Sequence, residues 1–499
     1  MPPESAVSFV LPRNLAAAAS FFIPLAIYVA SQISDVSYWD TAEMQAVPYV
    51  FGIAHPTGFP AFIIAGWLAS HLIPFGTVAW RIGLVSAVAM AATAYFVYAT
   101  VVELDETPAA GAAAALLFGV GEIVWTRASR AEPHALAVAF AALAIWSLLR
   151  WRRTGSGREL FIAAFAYGLA LATHPVAVLM AAGMAWLLFP CVLRTPPRTL
   201  LAALGVLVLP GLLYLYIPLR AAYLDAHCVD PMTGFASGAC AWNYADPATP
   251  ANFWAYLTGG DFKPQIGAGF LRMLSPAEYP AVLSLFGPAA VREFGIVALV
   301  FAAVGLAALV RSRWSVALGL FLASMPCVPY AFLYPANADI QRYLLTAYWL
   351  IAVLAAVGVG RLAVALLGRV RYAPAYVTPA ILGGLALWLF TVNDHLFAGR
   401  NNYNARPFVN FVLQRTPDNA VLVADWFFAC SFSYVRSVEH GLGNRIPVTG
   451  HALDLRPNFP IWLKSRPVFL IQTDYSDDQF RTTVVSRHPM IVRLEEKSP

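Results

Sequence analysis

Apolar runs of membrane-spanning length recur along this chain at about 14–33, 80–102, 108–126, 134–150, 159–173, 176–193, 199–219, 285–310, 314–334, 342–366 and 374–392. A helix needs about 20 apolar residues to cross the hydrocarbon core of a bilayer. The chain is therefore expected to be a polytopic α-helical membrane protein with about 11 transmembrane helices. Only 12% of its residues are charged and its mean hydropathy is +0.65, whereas soluble domains carry about 25% charged residues. The stretch 59–74 is apolar but short and bracketed by prolines, which reads as a re-entrant or interfacial helix. The first run follows Arg13, continues to about Ile33 and has no small-x-small cleavage site, so it reads as a retained signal anchor.

Arginines set the expected orientation. With the N-terminus inside, the inner loops receive Arg150, Arg152, Arg153 and Arg158, then Arg194 and Arg198, Arg311 and Arg313, and Arg369 and Arg371, as the positive-inside rule requires. The outer side then receives 34–79, 127–133, the turn at His174, 220–284, 335–341 and the tail from 393. The modest net charge of +5 sits mostly in these short loops, and no basic patch with interleaved aromatics is present, so nucleic acid is not an expected partner. Cys191 and Cys327 lie in or beside apolar runs. Cys228 and Cys240 share one polar outer loop and would be able to pair in an oxidising compartment.

The last hundred residues change character. Short apolar runs at Ala420–Asp425, Arg466–Gln472 and Met490–Leu494 are separated by Pro, Asp and Asn, a pattern of short buried strands. Residues 1–392 are expected to form the membrane module, and 393–499 a small α/β domain outside the membrane, with a helix opening at Arg406-Pro407-Phe408.

Nearly every conspicuous polar residue at a helix end falls on the expected outer side. Asp40, Glu43 and His55 follow the first span; Arg127, Arg130, Glu132 and His134 separate the third and fourth; His174 lies between the fifth and sixth. Arg220 ends the seventh, and Asp339, Gln341 and Arg342 follow the ninth. Ionisable groups at membrane depth mark function by default, and this set suits chemistry on an anionic, membrane-embedded substrate. Each also has a plainer account. Asp40 and Glu43, three apart on one helix face, can form a capping box, and His55-Pro56-Thr57-Gly58 can be a turn. Glu132-Pro133-His134 can be a helix start, His174 a satisfied loop histidine, and Arg220 an interfacial anchor. No P-loop, dinucleotide-binding glycine motif, zinc-protease motif or nucleophile elbow occurs, so a soluble nucleotide donor is not supported.

The segment from Tyr38-Trp-Asp-Thr-Ala-Glu-Met-Gln45 to Gly52-Ile-Ala-His-Pro-Thr-Gly-Phe-Pro60, followed by Trp80-Arg81, resembles the signature of the transmembrane protein O-mannosyltransferases, glycosyltransferase family 117, which has many bacterial relatives. The likeness continues at Ala131–His134, Gly168–His174, Tyr216–Arg220 and Ala245–Trp254, covering roughly 14–350. The family commonly has Glu-x-Tyr where this chain has Glu132-Pro133-His134, which leaves the role of that third position open.

The resemblance implies a GT-C glycosyltransferase in a bacterial inner membrane, with its site facing outward and a polyprenyl-phosphate sugar as donor. It implies that Asp40 is the catalytic base, with Glu43 as alternative or helper. His55, Arg127, Arg130, Glu132, His134, His174, Arg220 and Arg342 are the candidates for binding donor phosphate and substrate. A divalent metal at Asp40 and Glu43 is left open, since no spacing compels it. The lipid tail is expected in a groove beside 59–74. The acceptor is a hydroxyl of an exported protein, of a lipid or of a surface glycan. A lipid or sugar transporter is the reading from another class, disfavoured because the polar groups gather at helix ends and the halves do not repeat.

Overall fold

The computed structural model describes residues 11–227, 242–334, 339–370 and 373–497. Cys228, Cys240 and Arg371 lie outside the described residues. The membrane part is a helical bundle. It opens with α1 (Arg13–Ala30), followed by two shorter helices at one end of the bundle, α2 (Trp39–Val50) and α3 (Pro60–Leu72). Then come α4 (Val78–Glu103), α5 (Pro108–Gly119), α6 (Glu122–Ala128), α7 (Pro133–Thr154), α8 (Gly157–Thr173), α9 (Ala181–Val192), α10 (Pro197–Val208) and α11 (Tyr216–His227). The bundle is completed by α12 (Pro250–Leu257), α13 (Lys263–Met273), α14 (Tyr279–Ser324), α15 (Cys327–Leu333), α16 (Leu345–Leu367) and α17 (Ala373–Val392).

Among the described residues, 8 helical stretches are long and apolar enough to cross a membrane, or 9 if the bent pair α5–α6 counts as one. The difference from the expected count has two visible sources. At 17 residues, α8 sits at the lower limit of spanning length and is not among the 8. The stretch Pro276–Leu333 is one continuous 58-residue run, yet at 1.5 Å per residue it is roughly 87 Å long, nearly three times the hydrocarbon core. Its backbone leaves helical geometry at Gly295 and at Arg313, and the second break falls where the sequence separates runs 285–310 and 314–334.

Charge is segregated along the bundle axis. One end of α7 carries Glu132 and His134; the other carries Arg150, Arg152 and Arg153. There Arg153 pairs with Glu103 at 2.5 Å, Arg150 with Glu159 at 3.1 Å, and Arg313 with Asp105. Between the ends the helices approach closely through small residues. A Cβ on Gly305 of α14 would lie 1.9 Å from the Leu354 carbonyl oxygen, and one on Gly358 of α16 would lie 1.9 Å from that of Phe301. Small residues are what permits such contact between membrane helices. Gly358→Val is expected to push α16 off α14 and to destabilise the fold by about 1–3 kcal/mol, the usual range for overpacking. The check is thermal unfolding in detergent, and an unchanged transition would rule out this packing.

The break between α5 and α6, a bend of 75°, is held by a buried carboxylate. Glu293 accepts hydrogen bonds from the backbone N–H groups of Ile123 (2.8 Å) and Val124 (3.2 Å), at the otherwise unsatisfied start of α6. A side chain at Gly121 would occupy the same space, its Cβ lying 2.2 Å from Glu293 Oε1. The carboxylate thereby fixes the short helix that carries Arg127.

After α18 (Leu396–Asn402) and α19 (Arg406–Leu413) comes a five-stranded sheet: β1 (Val421–Ala424), β2 (Ile446–Thr449), β3 (Val468–Ile471), β4 (Phe480–Arg487) and β5 (Met490–Glu496), with α20 (Trp426–Ser437) following β1. The order is β2-β1-β3-β5-β4; the first three strands are parallel and β5 runs antiparallel to β3 and β4. The three strands and the helix read from the sequence are present. The strands β2 and β4 escape sequence reading because one contains Pro447 and the other is largely exposed and polar.

Alternation along the strands assigns each face. Val421, Val423, Val468 and Leu470 face a core closed by Phe459 and Trp462. Leu422, Ala424, Phe469 and Ile471 face the other way, into a core shared with Ala429 and Phe432 of α20 and with Val36, Ala42, Met44 and Val47 around α2. The tail is therefore seated on the segment that follows α1, an arrangement reinforced by the Ala405 N–H bonded to the Val36 carbonyl at 2.8 Å.

Candidate active site

The helix α2 begins at Trp39 with Tyr38 as its N-cap, and no side chain caps it. This corrects the capping-box reading of Asp40 and Glu43. Asp40 sits inside the first turn, and its carboxylate is engaged by two distant parts of the chain. Oδ2 accepts from Arg342 Nη1 at 2.8 Å, and Oδ1 accepts from the Trp426 indole Nε1–H at 2.9 Å. Burial pushes the Asp40 pKa up, but Arg342, His55 and these two hydrogen bonds outweigh it, so it stays below the ordinary carboxylate range.

Glu43 lies one turn further along and is fully buried. It accepts from the His55 backbone N–H at 2.7 Å and contacts His55 Nδ1 at 2.5 Å. Burial raises the Glu43 pKa against the opposing pull of His55. Burial alone would lower that of His55, but Glu43 and Asp40 raise it above 6.5. Glu43 thus holds the imidazole in place. The turn read at 55–58 forms, with the Gly58 N–H donating to the His55 carbonyl at 2.9 Å and Gly58 at φ 88°, a region open to glycine at no steric cost. Tyr256 Oη reinforces it by donating to the Ala54 carbonyl at 2.6 Å.

A second charged cluster backs the first. Arg127 and Arg130 both bind Asp339, the latter at 3.0 Å, and Arg127 also reaches Glu132 at 3.4 Å. Glu132 caps α7 by accepting from the His134 backbone N–H at 3.3 Å, ahead of Pro133 in the first turn, and accepts from His134 Nδ1–H at 2.7 Å. The helix-start reading and a place in a polar cluster therefore both hold for Glu132. Burial would raise its pKa, but His134, Arg130 and Arg342 pull it down to about 2. His174 ends α8. Its Nδ1 accepts from the Val176 N–H at 3.0 Å, which in the neutral ring leaves Nε2 as the N–H donor. Burial, assisted by His134 and Arg342, keeps it well below 6.5 and therefore neutral.

These groups border a cavity of about 960 Å³. Asp40, His55, His174 and Arg342 line it, while Arg130, Glu132 and His134 line a smaller space of about 90 Å³ on the far side of Asp40 and Arg342. One wall is apolar: Val176, Val178, Leu179, Ile266, Phe270 and Tyr334. No residue of 59–74 lines this cavity, although Phe59 stacks on the lining His174 with ring centroids 5.4 Å apart. Arg127 is tied up in the second cluster. Arg220 is placed elsewhere, donating to the carbonyls of Phe51 (2.9 Å) and Val50 (3.0 Å) at the end of α2. It secures the helix that carries Asp40. Trp426 belongs to the tail and was not among the sequence candidates; a tryptophan after a strand carries no local mark of a partner 386 residues away.

Asp40, Glu43 and His55 each bring a ligand atom within 4.8 Å of the others. They do not fit a divalent cation as arranged. Arg342 and Trp426 occupy both Asp40 oxygens, and His55 occupies both Glu43 oxygens. A cation there would face the Arg342 guanidinium, 2.8 Å from Asp40 Oδ2, whereas a proton can still be taken because each carboxylate oxygen keeps a second lone pair.

Residues 40–193 match the family model described as the Protein O-mannosyl-transferase TMEM260 N-terminal domain. The chain is 27% identical over 347 residues to the mouse Protein O-mannosyl-transferase TMEM260, a match covering 65% of this chain and 46% of the mouse protein. It is 28% identical over 179 residues to the Dictyostelium discoideum protein O-mannosyl-transferase tmem260, covering 33% of this chain and 22% of that protein. The chain thus spans less than half the length of these curated relatives. Among solved structures it resembles ArnT from Cupriavidus metallidurans bound to undecaprenyl phosphate, with a TM-score of 0.52, 12% identity and 98% of both chains covered. The apo form of ArnT gives the same TM-score at 11% identity, covering 95% of this chain and 97% of ArnT. The motif-based resemblance is borne out: residues 40–193 match the TMEM260 O-mannosyl-transferase family model, and the chain as a whole has a fold similar to that of ArnT.

Proposed function

We propose that this chain is an integral-membrane inverting glycosyltransferase that moves a hexose such as mannose from a polyprenyl-phosphate donor to a hydroxyl acceptor, with its site on the extracytoplasmic side of a bacterial inner membrane. The observation that carries this reading is Asp40, ionised and fixed by Arg342 and Trp426 at the meeting point of an apolar wall and a polar one. A cavity of about 960 Å³ is at the upper end of the range for enclosed ligand sites and suits a sugar phosphate with the first part of its lipid.

In the proposed reaction the acceptor oxygen attacks the sugar C1 as its proton passes to Asp40. The C1–O bond to phosphate breaks with inversion, and the lipid phosphate leaves as an anion. A positioned carboxylate is the general base such a step needs. The leaving phosphate needs donors where charge develops. Arg342 commits one nitrogen to Asp40 while its Nε has no hydrogen-bond partner among the described residues. The Nε2–H of neutral His174 and the imidazolium of His55 complete the set. Glu43 acts through His55, and Arg127, Arg130, Glu132 and His134 support Arg342 from behind.

The test is transfer of tritiated mannose from polyprenyl-phosphate mannose to a Ser/Thr peptide by the purified protein in liposomes; donor flux across the vesicle without transfer would replace this reading with a transporter. The same assay yields a pH prediction. The His55 pKa is raised, so its protonated form persists above 6.5 and is lost as pH rises further. Activity is expected to fall on the alkaline side through that raised value. In His55→Asn the limb should vanish along with a reduction in rate of about 10- to 100-fold, and a limb that survives the substitution would remove His55 from the phosphate site.

A further inference from the structure

The polar wall of the cavity is supplied by the tail. The strands β1 and β2 run parallel and adjacent, and the residues that follow them, Asp425 after β1 and Thr449, Gly450 and His451 at the end of β2, line the cavity with Trp426. In open α/β sheets ligands bind outside the carboxyl ends of the strands. The carboxyl ends of the neighbouring strands β1 and β2 here open onto the cavity that holds Asp40. The apolar wall already suits the lipid donor. A base set between two walls of opposite character takes its second substrate from the polar one.

Resting on the glycosyltransferase reading, we infer that the carboxyl ends of β1 and β2 form the acceptor subsite, and that it takes a neutral or cationic peptide hydroxyl in preference to an acceptor bearing phosphate near the hydroxyl. The preference follows from charge. Asp425 is the acidic group on this wall, and Arg342 is the only arginine or lysine among the described lining residues, where it is committed to Asp40 and the donor. An anionic acceptor would meet a carboxylate with no cation free to offset it, since Arg342 is committed to Asp40 and the His55 imidazolium to Glu43 and the donor phosphate.

Asp425 also caps α20, accepting from the Phe428 N–H at 3.3 Å. Asp425→Asn keeps a good N-cap while removing the charge, so it separates recognition from folding. The experiment uses the full chain in liposomes, tritiated polyprenyl-phosphate mannose, and two acceptors: a neutral Ser/Thr peptide and the same peptide with phosphoserines flanking the acceptor residue. The unaltered chain should favour the neutral peptide at least 10-fold in kcat/KM. Asp425→Asn should shrink that ratio several-fold, and His451→Ala and Thr449→Val should raise the peptide KM at least 5-fold. Equilibrium binding of the labelled donor should stay unchanged in all three, which also reports that they fold. Raised donor Kd with unchanged peptide KM, or a charge preference untouched in Asp425→Asn, would overturn the subsite while leaving the glycosyltransferase reading intact. Absence of transfer by the unaltered chain to either peptide would overturn both.

Discussion

Replacing Asp40 by Asn is expected to abolish sugar transfer, lowering kcat by about 10²–10⁴-fold, the usual contribution of a positioned general base, while the protein still folds and binds donor, with an unfolding temperature lowered because Arg342 loses its carboxylate partner. Asparagine preserves shape, and its carbonyl oxygen can still accept from the Trp426 indole, which lies 2.9 Å from Oδ1 in the parent chain. What it lacks is the ability to take a proton. The carboxylate is held below its ordinary pKa range, so Asp40 is ionised throughout the neutral range and acid loss of activity should set in at a lower pH than an ordinary aspartate would give. The measurement is single-turnover transfer with labelled donor, alongside the donor Kd. Activity within a few-fold of the parent would remove Asp40 as the base. Activity lost together with donor binding would make it a binding residue instead.

The second large effect is expected at Arg342. Its guanidinium joins the two charged clusters, bound to Asp40 on one side and depressing the pKa of Glu132 on the other. Both it and Asp40 are mostly shielded, at 13% and 18% side-chain exposure. Removing one partner of a buried pair leaves the other charge uncompensated and costs about 3–5 kcal/mol. Arg342→Ala should therefore lower the unfolding temperature in detergent and abolish transfer. It should also raise the pKa of Asp40, because the largest opposing influence on that burial-strained carboxylate is gone. Arg342→Lys keeps the charge but not the fork that can serve Asp40 and a phosphate together; it should regain most of the stability and little of the activity. Equal stability in the parent and Arg342→Ala would show that the pair is not built as described.

Much of this architecture is legible before any coordinates. Apolar run lengths mark the bundle, and a run boundary near residue 313 coincides with a backbone break in α14. The short tail strands at 421–424, 468–471 and 490–496 stand out because their flanks are rich in turn residues. The site is legible only as a set of helix-end residues, since periodicity tells which face a residue occupies and not which remote group it meets. Glu43 illustrates the limit: three residues from Asp40 on the same helix, it serves His55 rather than the cavity. Arg220 illustrates another, because an arginine that stabilises a helix end through its carbonyls has the same local sequence as one that binds phosphate. Trp426 is invisible for a stronger reason. Its role exists only once the sheet packs on α2.

That packing bears on how the protein is made. The apolar face of α2 shares a core with strands synthesised some 370 residues later. At about 5–20 residues per second, translation leaves this segment without its cover for tens of seconds after the first helix inserts. Until the tail emerges and docks, Asp40 lacks its indole partner, so the nascent bundle has an incomplete centre while its exit from the ribosome is still under way. A chain truncated before β1 would leave the apolar face of α2 uncovered and Asp40 without its indole partner.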